Sequence, residues 1–235
     1  MMKALILAAG LGTRLRPMTD TKPKSMVEVN GMPILFQQVD NLEKNGIKDI
    51  VVVAGYKADI MISALGDVYP SVKVIRNRDY DKTNNMYSAY LARDEFCDRD
   101  FILMNADVFC DSTIIQELLK DCYDNAIVVQ EGFHSDENMK VQYVDGKIVE
   151  ISKDISKQEA YGVSIDVYRF SSEGSVVFFG KTTEYIEERQ VHDQWTEVAL
   201  NDTLKEVTFR PCPARGRWME IDTHDDLKKA ESIFR

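Results

Sequence analysis

The chain has 235 residues, 44% of them apolar, which is enough to bury a full core. No run of about 18 apolar residues is present to span a bilayer, which excludes a helical membrane protein. Twenty-nine basic residues against 39 acidic ones give a net charge of −10, which excludes an extended nucleic-acid surface, because phosphate backbones need a basic face. The charge is uneven. Residues 3 to 24 hold Lys3, Arg14, Arg16, Lys22 and Lys24 against Asp20 alone, a local +4 that leaves −14 for the rest and suits a small polyanion. The start of the chain enters a strand directly, without a charged leader and cleavage site, so a cytoplasmic protein with no membrane partner is expected. Cys97, Cys110, Cys122 and Cys212 show no metal or redox spacing and read as reduced, buried thiols.

The run Ala4 to Ala9 reads as a strand buried on both faces, and it opens into the turn Gly10-Leu-Gly12-Thr13-Arg14. Gly10 and Gly12 let the main chain approach an anion, Thr13 adds a donor, and Arg14 and Lys24 can neutralise negative charge. A dinucleotide fingerprint would need a third glycine where Leu15 stands, and the GK[ST] of a phosphate-binding P-loop is absent. The compound stretch Ala8-Ala-Gly-Leu-Gly-Thr-Arg-Leu-Arg-Pro-Met-Thr19, followed by Pro23-Lys24-Ser-Met-Val-Glu-Val29, resembles the nucleotidyltransferases that make sugar nucleotides and CDP-alcohols. The resemblance implies a nucleotide-diphospho-sugar transferase-like fold: an α/β, Rossmann-like, doubly wound and mostly parallel mixed sheet with an added β-hairpin and a C-terminal helix. It further implies that Ala8, Ala9, Gly10, Gly12 and Thr13 bind the nucleotide, that Arg14 and Lys24 are catalytic, and that Mg²⁺ is the cofactor. One domain is expected over residues 1–235, with the nucleotide-binding core in 1–135 and the acceptor part and closing strand–helix in 136–235. A homodimer is implied by the resemblance alone.

Farther along, Pro33 is placed for the first turn of a helix with an apolar face at Ile34, Leu35, Val39 and Leu42, stopped by Gly46. Ile50 to Tyr56 is the second buried strand, and βαβ alternation predicts a parallel arrangement. Gly55 is either an ordinary strand-ending glycine or, as the resemblance implies, a turn beside the nucleotide base. A short helix over 57–65 and a strand over 72–76 follow. The pair Asn84-Asn85 at a helix start can cap that helix or read a base edge. With Met-Tyr-Ser after it, the pair resembles the bacterial phosphocholine cytidylyltransferases and related enzymes that activate phosphorylated amino compounds with CTP.

Phe101 to Asp107 reads as a strand ending in a carboxylate, where open α/β sheets place ligands. A hard oxygen there suits Mg²⁺. A helix over 112–122 and a strand over 126–130 follow, and Asp145-Gly146 centres a hairpin over 141–151. Lys153 is either a solvated lysine or, by resemblance, a contact to the acceptor phosphate. Gly162, in the strand 160–168, either leaves room for substrate or marks a bulge. Residues 171 to 202 look helical and acidic. Glu184, Glu187, Glu188, Asp193 and Glu197 around Tyr185 and Trp195 form either a solvated face or a pocket for an ammonium group, with Tyr185, Trp195 and Glu197 as acceptor contacts. Strands over 206–211 and 217–222 come last, then Thr223-His-Asp-Asp226 as a capping box for the terminal helix. The resemblance implies that Asp222 joins Asp107 at one metal ion; helix capping is its alternative role. His134, His192 and His224 have surface-like neighbours, and no Ser/His/Asp or reactive cysteine arrangement competes for the chemistry.

Together these features point to a cytidylyltransferase that moves CMP from CTP to a small phosphorylated amine and releases pyrophosphate. Two alternatives stand beside it. One is a hexose-1-phosphate nucleotidyltransferase using dTTP, UTP or GTP; the other is a nucleotide-binding regulatory module without turnover.

Overall fold

The opening apolar run becomes β1 (Lys3–Ala8) at the middle of the main sheet. It is followed by the short strands β2 (Glu28–Val29) and β3 (Met32–Pro33), helix α1 (Ile34–Lys44), β4 (Ile50–Ala54), α2 (Ala58–Val68) and β5 (Lys73–Arg76). Next come α3 (Asn85–Leu91), α4 (Arg93–Phe96), β6 (Phe101–Asn105), β7 (Val108–Cys110), α5 (Ser112–Lys120) and β8 (Ala126–Glu131). The chain closes with β9 (Lys140–Val144), β10 (Lys147–Ser152), β11 (Gly162–Phe170), α6 (Ser172–Thr183), α7 (Thr196–Thr203), β12 (Arg210–Pro213), β13 (Trp218–Glu220) and α8 (His224–Ile233). This is a computed structural model, and it describes residues 2–120, 123–132 and 138–235. Cys122 and His134 lie outside the described residues.

Strands β6, β1, β4 and β5 lie side by side in parallel, with Ala4 opposite both Ile50 and Ile102. Alternation along β1 sorts the core into two layers. Ala4, Ile6 and Ala8 pack with α1, α2 and α5 on one face, while Leu5 and Leu7 pack with α3, α6 and α7 on the other. Helices on both faces make the sheet doubly wound, and each fully buried Leu or Ile contributes about 1.5–3 kcal/mol. A smaller cluster seats α8 through Leu227 and Ala230 against Leu15, Val27 and Ile221.

Beyond β6 the sheet turns antiparallel. β11 pairs with β6, β8 and β9, and the hairpin β9–β10 extends the edge. Asp145 and Gly146 both have positive φ (49° and 84°), the geometry that an Asp-Gly turn supplies. The β11–β8 register shifts between Ser164 and Tyr168, and inside this irregularity Asp166 takes φ 58°. Thr223 and Asp226 form the expected reciprocal capping box on α8.

Three expectations need correction. The acidic stretch 171–202 is not one helix: α6 runs into a π-turn over Glu184–Glu188, and residues 189–195 are not helical. Hydrogen bonds to the start of α3 compete with the helix there, since Asn84 and Met86 donate backbone N–H groups to the His192 and Gln194 carbonyls. The strand expected from Glu206 begins at Arg210, because Glu206 and Val207 still bond back to Thr203. Cys97 is exposed, whereas Cys110 and Cys212 are buried as expected. Both described histidines only bond backbone carbonyls, His192 to Ile186 and His224 to Arg16.

Candidate active site

A cleft of ≈ 820 Å³ opens over the carboxyl ends of β1 and β6. Its floor on one side is the glycine turn. A Cβ at Gly12 (φ 61°) would lie 2.7 Å from Lys24 Cβ, so glycine is what lets the turn rest on the Lys24 stem. Thr19 fixes the turn by donating its hydroxyl to the Gly12 carbonyl at 2.9 Å, and the Tyr56 hydroxyl in turn donates to the Thr19 carbonyl at 3.0 Å. Around Gly10, its chain neighbours aside, no atom of the described residues lies within 4 Å of where a Cβ would stand. Ala8, Ala9 and Thr13 line the cleft beside it.

Asp107 stands in the turn after β6, and Asp222 follows β13. A backbone hydrogen bond from Ile221 N–H to the Asp107 carbonyl (2.9 Å) joins the two segments. Lys24 Nζ then bridges both carboxylates, at 2.8 Å from Asp107 Oδ2 and 2.5 Å from Asp222 Oδ1. Arg14 reaches the other oxygen of Asp222 at 2.8 Å. Glu220 completes a group in which three carboxylates can each present one oxygen within 4.8 Å of the others. Among the described residues, Asp107 Oδ1 is buried without a hydrogen-bond partner.

Charge coupling follows from this crowding. Burial alone would depress the Lys24 ammonium, but Asp107 and Asp222 reverse that and hold it well above the ordinary lysine value. Burial tends to raise Asp222; Lys24 and Arg14 outweigh it and keep this carboxylate low. At Glu220 the Lys24 charge is outweighed: burial, then repulsion from Asp107, Asp166 and Asp222, pushes it up to about 9.

The other side of the cleft is a second acidic wall. Asp166 accepts from Asn105 Nδ2 at 3.0 Å, and the Tyr168 hydroxyl lies 2.8 Å from Glu197 Oε1. Burial, then the charges of Glu197 and Asp107, push Asp166 up to about 7; burial likewise raises Glu197. Trp195 is exposed at the mouth, with Lys153 Nζ 5.1 Å from its ring centroid. Asn84 caps α3, accepting the Asn85 backbone N–H, and donates its amide to the Asp193 carbonyl at 3.3 Å. Asn85 Oδ1 accepts the Thr196 N–H at 2.9 Å. Both amides face the cleft and at the same time hold the segment that carries Trp195.

Three expected contacts lie off the cleft wall. Gly55 is packed, since a Cβ there would be 2.5 Å from Tyr80 Cβ; it is Tyr80 that faces the cleft. Gly162 serves strand contact, with the Gln130 carbonyl 2.4 Å from a Cβ position, and the register shift lies beyond it. Tyr185 turns away: its hydroxyl donates to Asp202 at 2.8 Å and Arg189 covers its ring. Glu184 pairs with Arg189 and Glu187 accepts from Tyr90, so these carboxylates belong to a solvated face. Sequence reading missed Glu220, Asp166, Tyr168 and Asn105. Alternation carried a signal for Glu220, because residues 220 and 222 of a strand share a face, and a lone Asp inside the apolar run of β11 was a signal for Asp166.

A glycine turn, a paired cation cluster and two convergent aspartates agree with one family model, described as nucleotidyl transferase, which matches residues 3–140. The chain belongs to the nucleotidyltransferase family. This nucleotidyltransferase is 31% identical to the choline-phosphate cytidylyltransferase of Streptococcus pneumoniae, over 100% of this chain and 99% of that one. It is 27% identical to the CTP:phosphoglutamine cytidylyltransferase of Campylobacter jejuni, over 97% and 98% of the two chains. Among solved structures, the CTP:phosphocholine cytidylyltransferase of Streptococcus pneumoniae has a TM-score of 0.81 at 26% identity, covering 100% of this chain and 99% of that one.

Proposed function

We propose that this nucleotidyltransferase moves CMP from CTP to a small phosphorylated amine or amino compound. One observation carries the reading: the cleft has two chemically opposite ends. Arg14, Lys24 and the glycine turn suit phosphates, while Asp166, Glu197 and the exposed Trp195 suit the positive end of an acceptor. Full-length likeness to two proteins named as cytidylyltransferases supports the choice of base. A phosphate or phosphonate oxygen of the acceptor attacks the α-phosphorus, the new P–O bond forms, and the bond to pyrophosphate breaks with its electron pair leaving on pyrophosphate.

The chain's part is positioning and charge neutralisation. Arg14 receives the leaving pyrophosphate, Lys24 the α-phosphate and Lys153 the acceptor phosphate. Ala8, Ala9, Gly10, Gly12 and Thr13 bring backbone and hydroxyl donors to the triphosphate, and the Asn84–Asn85 side of the cleft faces the base. In this reading residues 1–135 hold the nucleotide and 136–235 supply the acceptor wall and Asp222. Mg²⁺ fits the site, because Asp107, Asp222 and Glu220 are a hard oxygen donor set and Asp107 Oδ1 is buried without a partner. When bound, the ion supplies neutralisation of charge shared between donor and acceptor phosphates. Losing one positioned cation removes on the order of 3 kcal/mol of transition-state stabilisation, about a hundredfold in rate.

Pyrophosphate release measured with CTP, UTP, dTTP and GTP against phosphocholine, 2-aminoethylphosphonate and hexose 1-phosphates tests the proposal. Turnover is expected with CTP and the amines. Turnover confined to sugar phosphates overturns it, and nucleotide binding without any release makes the protein a regulatory module.

A further inference from the structure

Arg14, Lys24, Asp107 and Asp222, which this reading assigns to phosphate and metal, are paired with one another. Lys24 Nζ sits between Asp107 and Asp222, and Arg14 holds the remaining oxygen of Asp222. The ammonium therefore occupies the space between the carboxylates where a divalent cation would be held. It does not exhaust the site, because Asp107 Oδ1 remains without a partner. A divalent ion on the same oxygens would face the Lys24 ammonium at close range in a partly dry cleft, and the two charges oppose each other there.

The Lys24 stem shows where the head group can go. Its Cβ lies directly beneath Gly12, so the flexible four-carbon chain is rooted under the glycine turn. Rotation about the single bonds of that stem can swing the ammonium from the carboxylates toward the glycine turn.

From this we infer that Lys24 is a built-in competitor for the divalent cation, displaced from Asp107 and Asp222 only when the metal arrives with a triphosphate that takes up the freed ammonium. The inference rests on the nucleotidyl-transfer reading and adds to it a coupling between two ligands. Metal alone must break the Lys24 pairs without compensation, and nucleotide alone must draw Lys24 away from two partly buried carboxylates. Bound together, each relieves the other's cost, and the coupling is reciprocal. A lysine that served only as a phosphate ligand, away from the two aspartates in the free protein, would have little effect on metal binding without nucleotide.

The test is Mn²⁺ binding in the absence of nucleotide, followed by the electron paramagnetic resonance of free Mn²⁺. Lys24→Met is expected to bind Mn²⁺ roughly tenfold more tightly than wild type, within the usual range of coupling between sites. Equal or weaker binding by a folded Lys24→Met or Lys24→Gln overturns the inference. Crystals of the wild-type protein provide a second reading that needs no variant. Soaked with Mn²⁺ alone, they are expected to keep Lys24 on both aspartates; soaked with Mn²⁺ and CTP, they are expected to show the ion there and Lys24 on phosphate. Mn²⁺ on Asp107 and Asp222 with Lys24 still bonded to both also overturns it. Neither measurement uses turnover, so a failed acceptor panel and a failed competitor role are separate results.

Discussion

The Tyr168 hydroxyl touches both carboxyl groups of the acceptor wall, lying 2.8 Å from Glu197 Oε1 and 2.9 Å from Asp166 Oδ1. A phenol has one proton to give, and Ser164 Oγ is within 3.3 Å as a donor to the same oxygen. Three contacts with one phenolic proton are satisfied when a carboxyl group of the pair carries a proton of its own. Tyr168 thus organises the wall that the proposed acceptor meets. Tyr168→Phe removes the hydroxyl, keeps the ring volume and leaves Glu197 Oε1 without its donor. We expect a loss of about 1–3 kcal/mol in stability, the cost of an unsatisfied buried polar group. In kinetics, the acceptor KM should rise while the triphosphate KM stays near wild type; a rise in the triphosphate KM alone would place Tyr168 elsewhere in the reaction.

The same wall gives stability a pH dependence of definite sign. An unfolded aspartate titrates near 4, whereas burial and then Glu197 and Asp107, opposed by hydrogen bonds from Asn105 and Tyr168, hold folded Asp166 up to about 7. Between those values the folded chain binds the proton more tightly than the unfolded one. Stability from the neutral form is therefore fully present below about 4 and is lost as pH rises through about 7. The whole span corresponds to at most ~4 kcal/mol, reduced where cleft water reaches the carboxyl. Asn at this position imitates the protonated acid at every pH. Thermal unfolding of Asp166→Asn and wild type at pH 5 and pH 8 should show the variant gaining relative stability at the higher pH. A constant difference would mean that Asp166 is ionised throughout.

How far the sequence alone could reach is clear from particular residues. β1, α1 and the Asp-Gly hairpin were readable because each depends on local signals: an unbroken apolar run, a helical apolar stripe and a turn that requires positive φ. Asp107 and Asp222 could be paired only by resemblance, since nothing local in a strand-end aspartate states its partner 115 residues away; the contact through Lys24 is tertiary. Trp195 was legible as an aromatic among acids, but its helix was drawn through residues 189–195, where hydrogen bonds to α3 override local preference. Tyr185 had the same local credentials and faces Asp202 instead. The composition of an acidic helix does not say which of its faces meets a cleft.

Asn85 offers a direct choice between two roles. Its Oδ1 accepts the Thr196 N–H at 2.9 Å, so it holds the start of α7 and the preceding Trp195 in place. Asn85→Ala deletes that bond, at a cost of about 1 kcal/mol, and loosens the Trp195 segment. If holding this segment is its main task, the acceptor KM rises and the CTP KM is little changed. A selective rise in the CTP KM, with loss of discrimination against UTP, would assign the amide to the base.

Gly10 and Gly162 separate a glycine needed by a ligand from one needed by the fold. Its chain neighbours aside, a Cβ at Gly10 would meet no atom of the described residues within 4 Å, so Gly10→Ala costs the free protein only the small difference between these residues in a turn. The added methyl group stands at the cleft wall, where the proposed triphosphate approaches the main chain, and should weaken nucleotide binding about tenfold or more at nearly unchanged Tm. At Gly162 the same methyl group would lie 2.4 Å from the Gln130 carbonyl oxygen and 2.7 Å from Val129 Cγ1. Backbone cannot step aside as a flexible side-chain tip can, so β11 and β8 must separate, and overpacking of this kind costs about 1–3 kcal/mol. Gly162→Ala should therefore lower Tm by several degrees and leave the nucleotide KM of the surviving folded protein close to wild type. The reverse pattern, a destabilised Gly10→Ala with intact nucleotide binding, would move the triphosphate away from the turn that begins at the end of β1.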